Sequence, residues 1–177
     1  MKSFVLTSVA FLASFSAFPL QAAEVTVKGV HLCCGACVDG VNEALTGIDG
    51  VSDVVCDRNT KVVAFKATDD DAAERGIEAL SKGGFFGTAK HGKKDLPFPD
   101  AGAKKDATTA TITFTGVHLC CGACVKDAHT AVKDVKGVSK VDVDREAGSV
   151  TLTGTDIVET EALAALNKGG FYGKVAE

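Results

Sequence analysis

The stretch Gly29-Val30-His31-Leu32-Cys33-Cys34-Gly35-Ala36-Cys37 returns, unchanged in every residue, as Gly116-Val117-His118-Leu119-Cys120-Cys121-Gly122-Ala123-Cys124. Six of the seven cysteines lie in these two copies. Each copy follows a run with period-two alternation, Val25-Thr26-Val27-Lys28 or Ile112-Thr113-Phe114-Thr115, the pattern of a half-buried strand. Each copy opens a run with helical spacing: Val38, Val41, Leu45 and Ile48, or Val125, Ala128, Val132 and Val135. The repeated stretch is therefore a strand-to-helix turn that carries three thiols.

The repeat extends outward from the turn. Cys33 maps onto Cys120, and the same offset carries Val51 onto Val138, Asp57-Arg58 onto Asp144-Arg145 and Thr68-Asp69 onto Thr155-Asp156. One residue is lost in the second helix region, so Lys82-Gly83-Gly84-Phe85-Phe86-Gly87 aligns with Lys168-Gly169-Gly170-Phe171-Tyr172-Gly173. Gly50 and Gly137 stop the first helix of each unit. Two strands follow, through Val54 and Cys56 and through Val63 and Phe65, matched by Val141, Val143, Val150 and Leu152. Asp69 and Asp156 are the expected N-caps of a second helix. Its apolar side carries Ala73, Ile77 and Leu80, or Ala162, Leu163 and Leu166. Gly83-Gly84 and Gly169-Gly170 end that helix before a short last strand. The order βαββαβ predicts an α+β fold, a ferredoxin-like sandwich of one antiparallel sheet and two helices, built twice in tandem. The expected division is a signal peptide over 1–23, units over 24–90 and 109–177, and a linker over 91–108 marked by charge, Gly, Pro97 and Pro99.

Composition narrows the function. The chain has 177 residues and a formal net charge of −4, and loss of Lys2 with the N-terminal segment makes it one unit more negative. No basic patch or aromatic-basic motif points to nucleic acid. Lys2, the apolar run Phe4 to Phe18, and the small residues Ala22 and Ala23 read as a secretory signal. After its removal no apolar run is long enough to span a membrane. The expected product is exported, to a bacterial periplasm. Disulfide frameworks in such a compartment use spaced cysteines, whereas three in a five-residue window argue for a site.

Cys34-Gly35-Ala36-Cys37 and Cys121-Gly122-Ala123-Cys124 place a Cys-x-x-Cys at a helix start. The positive end of the helix dipole favours thiolates there, and thiolates select Cu(I), Zn(II) and other soft cations. Gly35 and Gly122 are expected to relieve crowding in the turn. With this turn, the βαββαβ order and the Gly-Phe or Gly-Tyr after the second helix, each unit resembles a heavy-metal-associated domain. That module occurs in copper chaperones, copper-transporting P-type ATPases and mercury-scavenging periplasmic proteins. The resemblance implies metal binding by Cys34 and Cys37 and by Cys121 and Cys124. It also implies trafficking or sequestration rather than catalysis, and a metal transporter or another metal-binding protein as partner.

The sequence departs from that family pattern in three places. Val30 and Val117 stand where a Met packs beneath the loop, the loop is two residues longer, and Cys33 or Cys120 precedes the pair. Three thiolates with a neighbouring His31 or His118 suit trigonal Cu(I), and also Zn(II), Cd(II) or Hg(II). The expected metal set is thus Cys33, Cys34, Cys37, Cys120, Cys121 and Cys124, with one site per unit. His31 and His118 are further ligands or groups that orient the loop.

The alternative reading is a periplasmic thiol-disulfide exchange protein. Against it, each unit is short for a thioredoxin fold and contains no Pro to face the dithiol. Cys56 has Val143 as its repeat partner and reads as a small core residue. His129 reads as solvated and His91 as a linker-edge residue. Phe85-Phe86 and Phe171-Tyr172 are expected to shield the metal loops, to supply the first core residues of a strand after a Gly helix cap, or both, and Lys82 and Lys168 to place a cation at each second helix's C-terminus.

Overall fold

The structure, a computed structural model, describes residues 23–176. The signal-peptide reading lies outside the described residues except for Ala23, which opens the first strand. The first unit runs β1 (Ala23–Lys28), α1 (Gly35–Leu45), β2 (Val51–Asp57), β3 (Val62–Ala67), α2 (Asp70–Lys82), β4 (Thr88–His91) and β5 (Lys94–Leu96). The second runs β6 (Thr108–Thr115), α3 (Gly122–Val132), β7 (Val138–Asp144), β8 (Ser149–Val158), α4 (Glu159–Lys168) and β9 (Lys174–Val175). Both sheets are antiparallel, ordered β2-β3-β1-β4-β5 and β7-β8-β6-β9. Two ferredoxin-like α+β domains thus stand in tandem. No described helix is long and apolar enough to cross a membrane.

Alternation makes each central strand two-faced. Val25 and Val27 on β1 are fully buried, as are Val63 and Phe65 on β3, to within 1%. Ile112 and Phe114, with Val150 and Leu152, repeat this in the second domain. The helix faces differ from the expected ones. The buried stripe of α1 is Cys37, Val41 and Leu45, and that of α3 is Cys124, Ala128 and Val132. The spacing of four, not the expected three-four-three, puts the last cysteine of each motif in the inward stripe. Val38 is only half-buried and Ile48 lies beyond the helix end.

The second helices also depart from strict repetition. Asp69 caps α2, its side chain accepting from the Ala72 N–H at 2.7 Å. Asp156 does not cap α4. It lies inside β8 at φ 50°, and Val158 takes the N-cap position without a side-chain bond. Pairing of Thr109 with Ile157 and of Thr108 with Val158 extends β8 through the residues that a cap would need.

Residues 91–108 are not the plain linker expected. Gly92 at φ 59° turns β4 back on itself, so β5 joins the first sheet and Leu96 is buried. Ala101 accepts from the Val175 N–H at 2.8 Å, and Ala107 from the Glu159 N–H at 3.1 Å. The segment is fastened to both domains because its backbone groups find partners there.

Candidate metal centre

The two domains meet through the Gly-Gly-aromatic segments that follow α2 and α4. The Phe86 N–H donates to the Gly170 carbonyl at 3.1 Å, and the Tyr172 N–H donates to the Gly84 carbonyl at 2.9 Å. Phe85 and Phe171 form an antiparallel bridge between them. Each domain sends its motif histidine across this seam. His31 stacks on Phe171 with centroids 4.2 Å apart, and His118 lies against Phe85 at 4.3 Å. Gly84 and Gly170 allow the approach, with φ of 80° and 84°. A Cβ would lie 2.3 Å from the His118 nitrogen at Gly84, and 2.4 Å from the His31 nitrogen at Gly170. The reciprocal contacts make an approximate two-fold relation between the domains.

Phe98 completes the seam. Its ring lies 4.8 Å from that of Phe86 and 6.3 Å from that of Tyr172. The Tyr172 hydroxyl donates toward the Pro99 and Asp100 carbonyls at 3.2 and 3.3 Å. The aromatics therefore pair across domains rather than each shielding its own loop.

This docking brings the two thiol turns together, where one site per unit was expected. Cys33 lies 3.6 Å from Cys37, 3.8 Å from Cys121 and 3.5 Å from Cys124, sulfur to sulfur. Cys34 lies 3.8 Å from Cys37, 3.6 Å from Cys120 and 4.0 Å from Cys121. Cys37 lies 3.6 Å from Cys120 and 3.9 Å from Cys124. Cys124 lies 3.4 Å from Cys120 and 3.7 Å from Cys121. The vicinal pairs Cys33–Cys34 and Cys120–Cys121 are each within 4.8 Å. Every sulfur thus neighbours four others and stands opposite one: Cys33 opposite Cys120, Cys34 opposite Cys124, Cys37 opposite Cys121. That connectivity is an octahedron.

All six thiols are free. Cys37 and Cys124 are buried and the other four half-buried. Cys34 and Cys121 occupy the N-cap positions of α1 and α3, so both helix N-termini face the cage. At Gly35 and Gly122 a Cβ would meet nothing within 4 Å, so the expected crowding is absent and these exposed residues leave the rim open.

Six thiols so close cannot share one protonation behaviour. Burial pushes Cys37 up, but hydrogen bonding from His118, from the backbone at Cys34 and Cys33 and from Cys120 prevails and holds it at about 5. Backbone hydrogen bonding at Cys124 and Ala123 lowers Cys121 to about 6. Burial, with hydrogen bonds to neighbouring sulfurs, drives Cys33 and Cys120 upward, and burial raises Cys124. The cage therefore holds part of its charge before any metal arrives, and the remaining protons are displaced by binding.

The two histidines are not equivalent. A His31 ring nitrogen lies within 4.8 Å of the Cys33, Cys37 and Cys124 sulfurs, so these four groups could hold one ion. Burial lowers the pKa of His31, and the opposing pull of Cys37 and Asp127 does not cancel it, so the imidazole is neutral at pH 7. Its Nε2 lies 4.0 Å from the Asp127 carboxylate. The position equivalent to Asp127 in the first domain is Gly40, where a Cβ would meet the His118 ring at 2.7 Å. His118 is thus packed on α1, from where it supplies the hydrogen bond to Cys37.

The remaining expectations sort plainly. Cys56 is half-buried rather than core, and opens into a surface groove with Leu32, Cys33 and Arg58. The Arg58 guanidinium donates to the Cys33 carbonyl at 2.9 Å. His129 is exposed. His91 pairs with Asp70 at 2.7 Å, away from the thiols. Lys82 sits at the end of α2 and pairs with Glu78 at 2.8 Å. Val30 and Val117, which stand in place of the family Met, are buried beneath their loops. Sequence reasoning missed Asp127, Gly84 and Gly170 as determinants of the site. The repetition of Gly-Gly-Phe-aromatic beside a repeated thiol turn was the available signal.

Comparison with known proteins gives one family. The description "Heavy-metal-associated domain" matches residues 24–86 and 107–171. The heavy metal-associated isoprenylated plant protein 8 of Arabidopsis thaliana is 23% identical over 137 residues, which is 76% of this chain and 55% of the plant protein. The chain therefore spans about half the length of that relative. Among solved structures, oxidized MerP from Ralstonia metallidurans CH34 is 29% identical, covering 40% of this chain and 100% of MerP at a TM-score of 0.36. The N-terminal soluble domains of Bacillus subtilis CopA are 17% identical, covering 88% of this chain and 95% of theirs at a TM-score of 0.33.

Proposed function

The chain belongs to the heavy-metal-associated domain family, and from that premise we propose that it is an exported carrier of a soft metal ion, Cu(I) foremost. The metal is its cargo. Both domains bind it together, at the thiols of Cys33, Cys34, Cys37, Cys120, Cys121 and Cys124. The observation that carries this reading is the meeting of three sulfurs from each domain at separations of 3.5 to 4.0 Å across the seam. A donor set of thiolates with one neutral imidazole favours soft d10 cations over Mg(II) or Ca(II).

The handling of cargo follows from the same geometry. Adjacent thiolates allow an ion to pass from sulfur to sulfur without release to water, so sequestration or hand-over proceeds by ligand exchange. The turn that another domain would approach is covered by the sister domain, which favours holding the metal until a partner displaces one half. A metal transporter or a second metal-binding protein is the proposed partner. Export rests on the composition of residues 1–23.

The test is anaerobic titration of the reduced protein with Cu(I) and separately with Zn(II), counting bound metal. Uptake of Cu(I) that survives a chromophoric competitor, and that is lost in the six-fold Cys→Ser variant, is the expected result. No uptake of either ion, together with turnover of peptide disulfides, would replace this reading with thiol-disulfide exchange.

A further inference from the structure

The octahedral arrangement decides more than metal class. Among the six sulfurs no four are all mutual neighbours, because each stands opposite another. A four-thiolate tetrahedral site of the structural zinc kind is therefore not preformed. Three-sulfur triangles abound instead. Four of them are Cys33-Cys37-Cys124, Cys33-Cys34-Cys121, Cys34-Cys37-Cys120 and Cys120-Cys121-Cys124. These are alternate faces of the octahedron, and each sulfur belongs to two of them.

We infer that the cage binds four Cu(I) ions as one cluster, one ion per alternate face, with every thiolate bridging two ions. This rests on the proposed Cu(I) binding and states its nuclearity. The dimensions fit. With edges averaging about 3.7 Å, a triangle's centre lies about 2.1 Å from its sulfurs, against about 2.3 Å for a metal–thiolate bond. Opening the shorter edges by about 0.3 Å closes the gap: the edge between the two buried sulfurs, Cys37 and Cys124, is already 3.9 Å, and every other edge ends on at least one half-buried thiol. The metal ions then stand about 2.5 to 2.7 Å apart, two-thirds of an edge.

Charge also balances. Four Cu(I) and six thiolates leave a net charge of −2, the thiol protons leave to solvent, and no electron moves. The N-termini of α1 and α3, both at the cage, favour that residual negative charge. His31 lies beside the Cys33-Cys37-Cys124 face, and His118 reaches the cage at Cys37. The approximate two-fold axis exchanges the two sets of alternate faces.

Cys33 and Cys120 carry the nuclearity. They are opposite vertices, and each of the four triangles contains one of them. The double variant Cys33→Ser, Cys120→Ser removes every triangle while leaving both Cys-x-x-Cys pairs intact.

The experiment is an anaerobic Cu(I) titration of the reduced protein, followed by native mass spectrometry and copper X-ray absorption. The expected parent spectra show metal-free chain and chain with four copper ions dominating at half loading, with copper–copper scattering at about 2.5 to 2.7 Å. The double variant, its fold checked by thermal melting, should bind two copper ions at most and lose that scattering. Parent saturation at one or two ions with no copper–copper scattering overturns the cluster while Cu(I) binding stands. Four ions retained by the double variant also overturn it. No Cu(I) uptake at all removes the cluster and the proposed function together.

Discussion

Replacing Gly170 by Ala should separate the domains while each keeps its fold. At Gly170 the backbone of the second domain lies directly against the backbone of the first. A Cβ there would lie 2.4 Å from the His31 nitrogen and 2.5 Å from the Gly29 carbonyl oxygen. Both partners are backbone, so no side-chain rotation relieves the clash. The Gly170 carbonyl also accepts from the His31 N–H at 3.2 Å and the Phe86 N–H at 3.1 Å. Losing two such bonds at about 1 kcal/mol each weakens docking by about 2 kcal/mol, roughly thirtyfold, before the steric term is added. The left-handed backbone, φ 84°, adds about 1 kcal/mol for Ala, which falls on the second domain. Gly92→Ala is the control: it has φ 59° and nothing within 4 Å of its Cβ, so it carries the backbone cost without the clash.

The assay is small-angle X-ray scattering of the reduced, metal-free protein beside a thermal melt. The parent and Gly92→Ala should scatter alike and melt in one transition. Gly170→Ala should show a larger radius of gyration and two transitions, and should lose any metal site that needs both domains. Scattering of Gly170→Ala superimposable on the parent would refute the argument that this close approach holds the domains together.

Other outcomes follow from the same structure. Gly35→Ala should be neutral or stabilising by up to about 1 kcal/mol in denaturant unfolding, because the residue is helical and its Cβ meets open space. Asp69→Ala should cost about 1 kcal/mol of unfolding free energy and lower the single transition, since its carboxylate caps α2 by accepting from Ala72. Asp156→Ala, at the matching repeat position, should lose no cap energy. Hydrogen bonding from Lys94 and His91 holds the Asp70 carboxyl below its usual value of 3.8. A depressed carboxylate contributes stability that is present above the unfolded value and lost as pH falls through the folded one. Melting curves from neutral pH to pH 3 should therefore fall more steeply for the parent than for Asp70→Asn.

Much of the fold was legible because its cause is local. Alternation at Val25 and Val27 buries one strand face, and Gly50 and Gly137 at φ 79° and 86° close helix-to-strand turns. The errors lie where a long-range pairing overrides a local rule. Asp156 has cap chemistry, yet β8 pairs through it. Helical spacing alone puts Val38 in the stripe of α1, but the helix turns Cys37 inward instead. Pro97 and Pro99 marked a linker, while Leu96 and Ala101 are buried against sheet partners that periodicity cannot name.

The site divides the same way. The sequence by itself determined that each turn carries three thiols at a helix start, since that depends only on residue order and the reach of one helical turn. The union of the two turns into a single octahedral cage was decided by tertiary structure. It depends on Gly84 and Gly170 admitting the partner's backbone, and on Phe85 and Phe171 stacking against the partner's histidine. These contacts join residues more than thirty positions apart, and complementarity between surfaces leaves no periodic trace in the chain that encodes them.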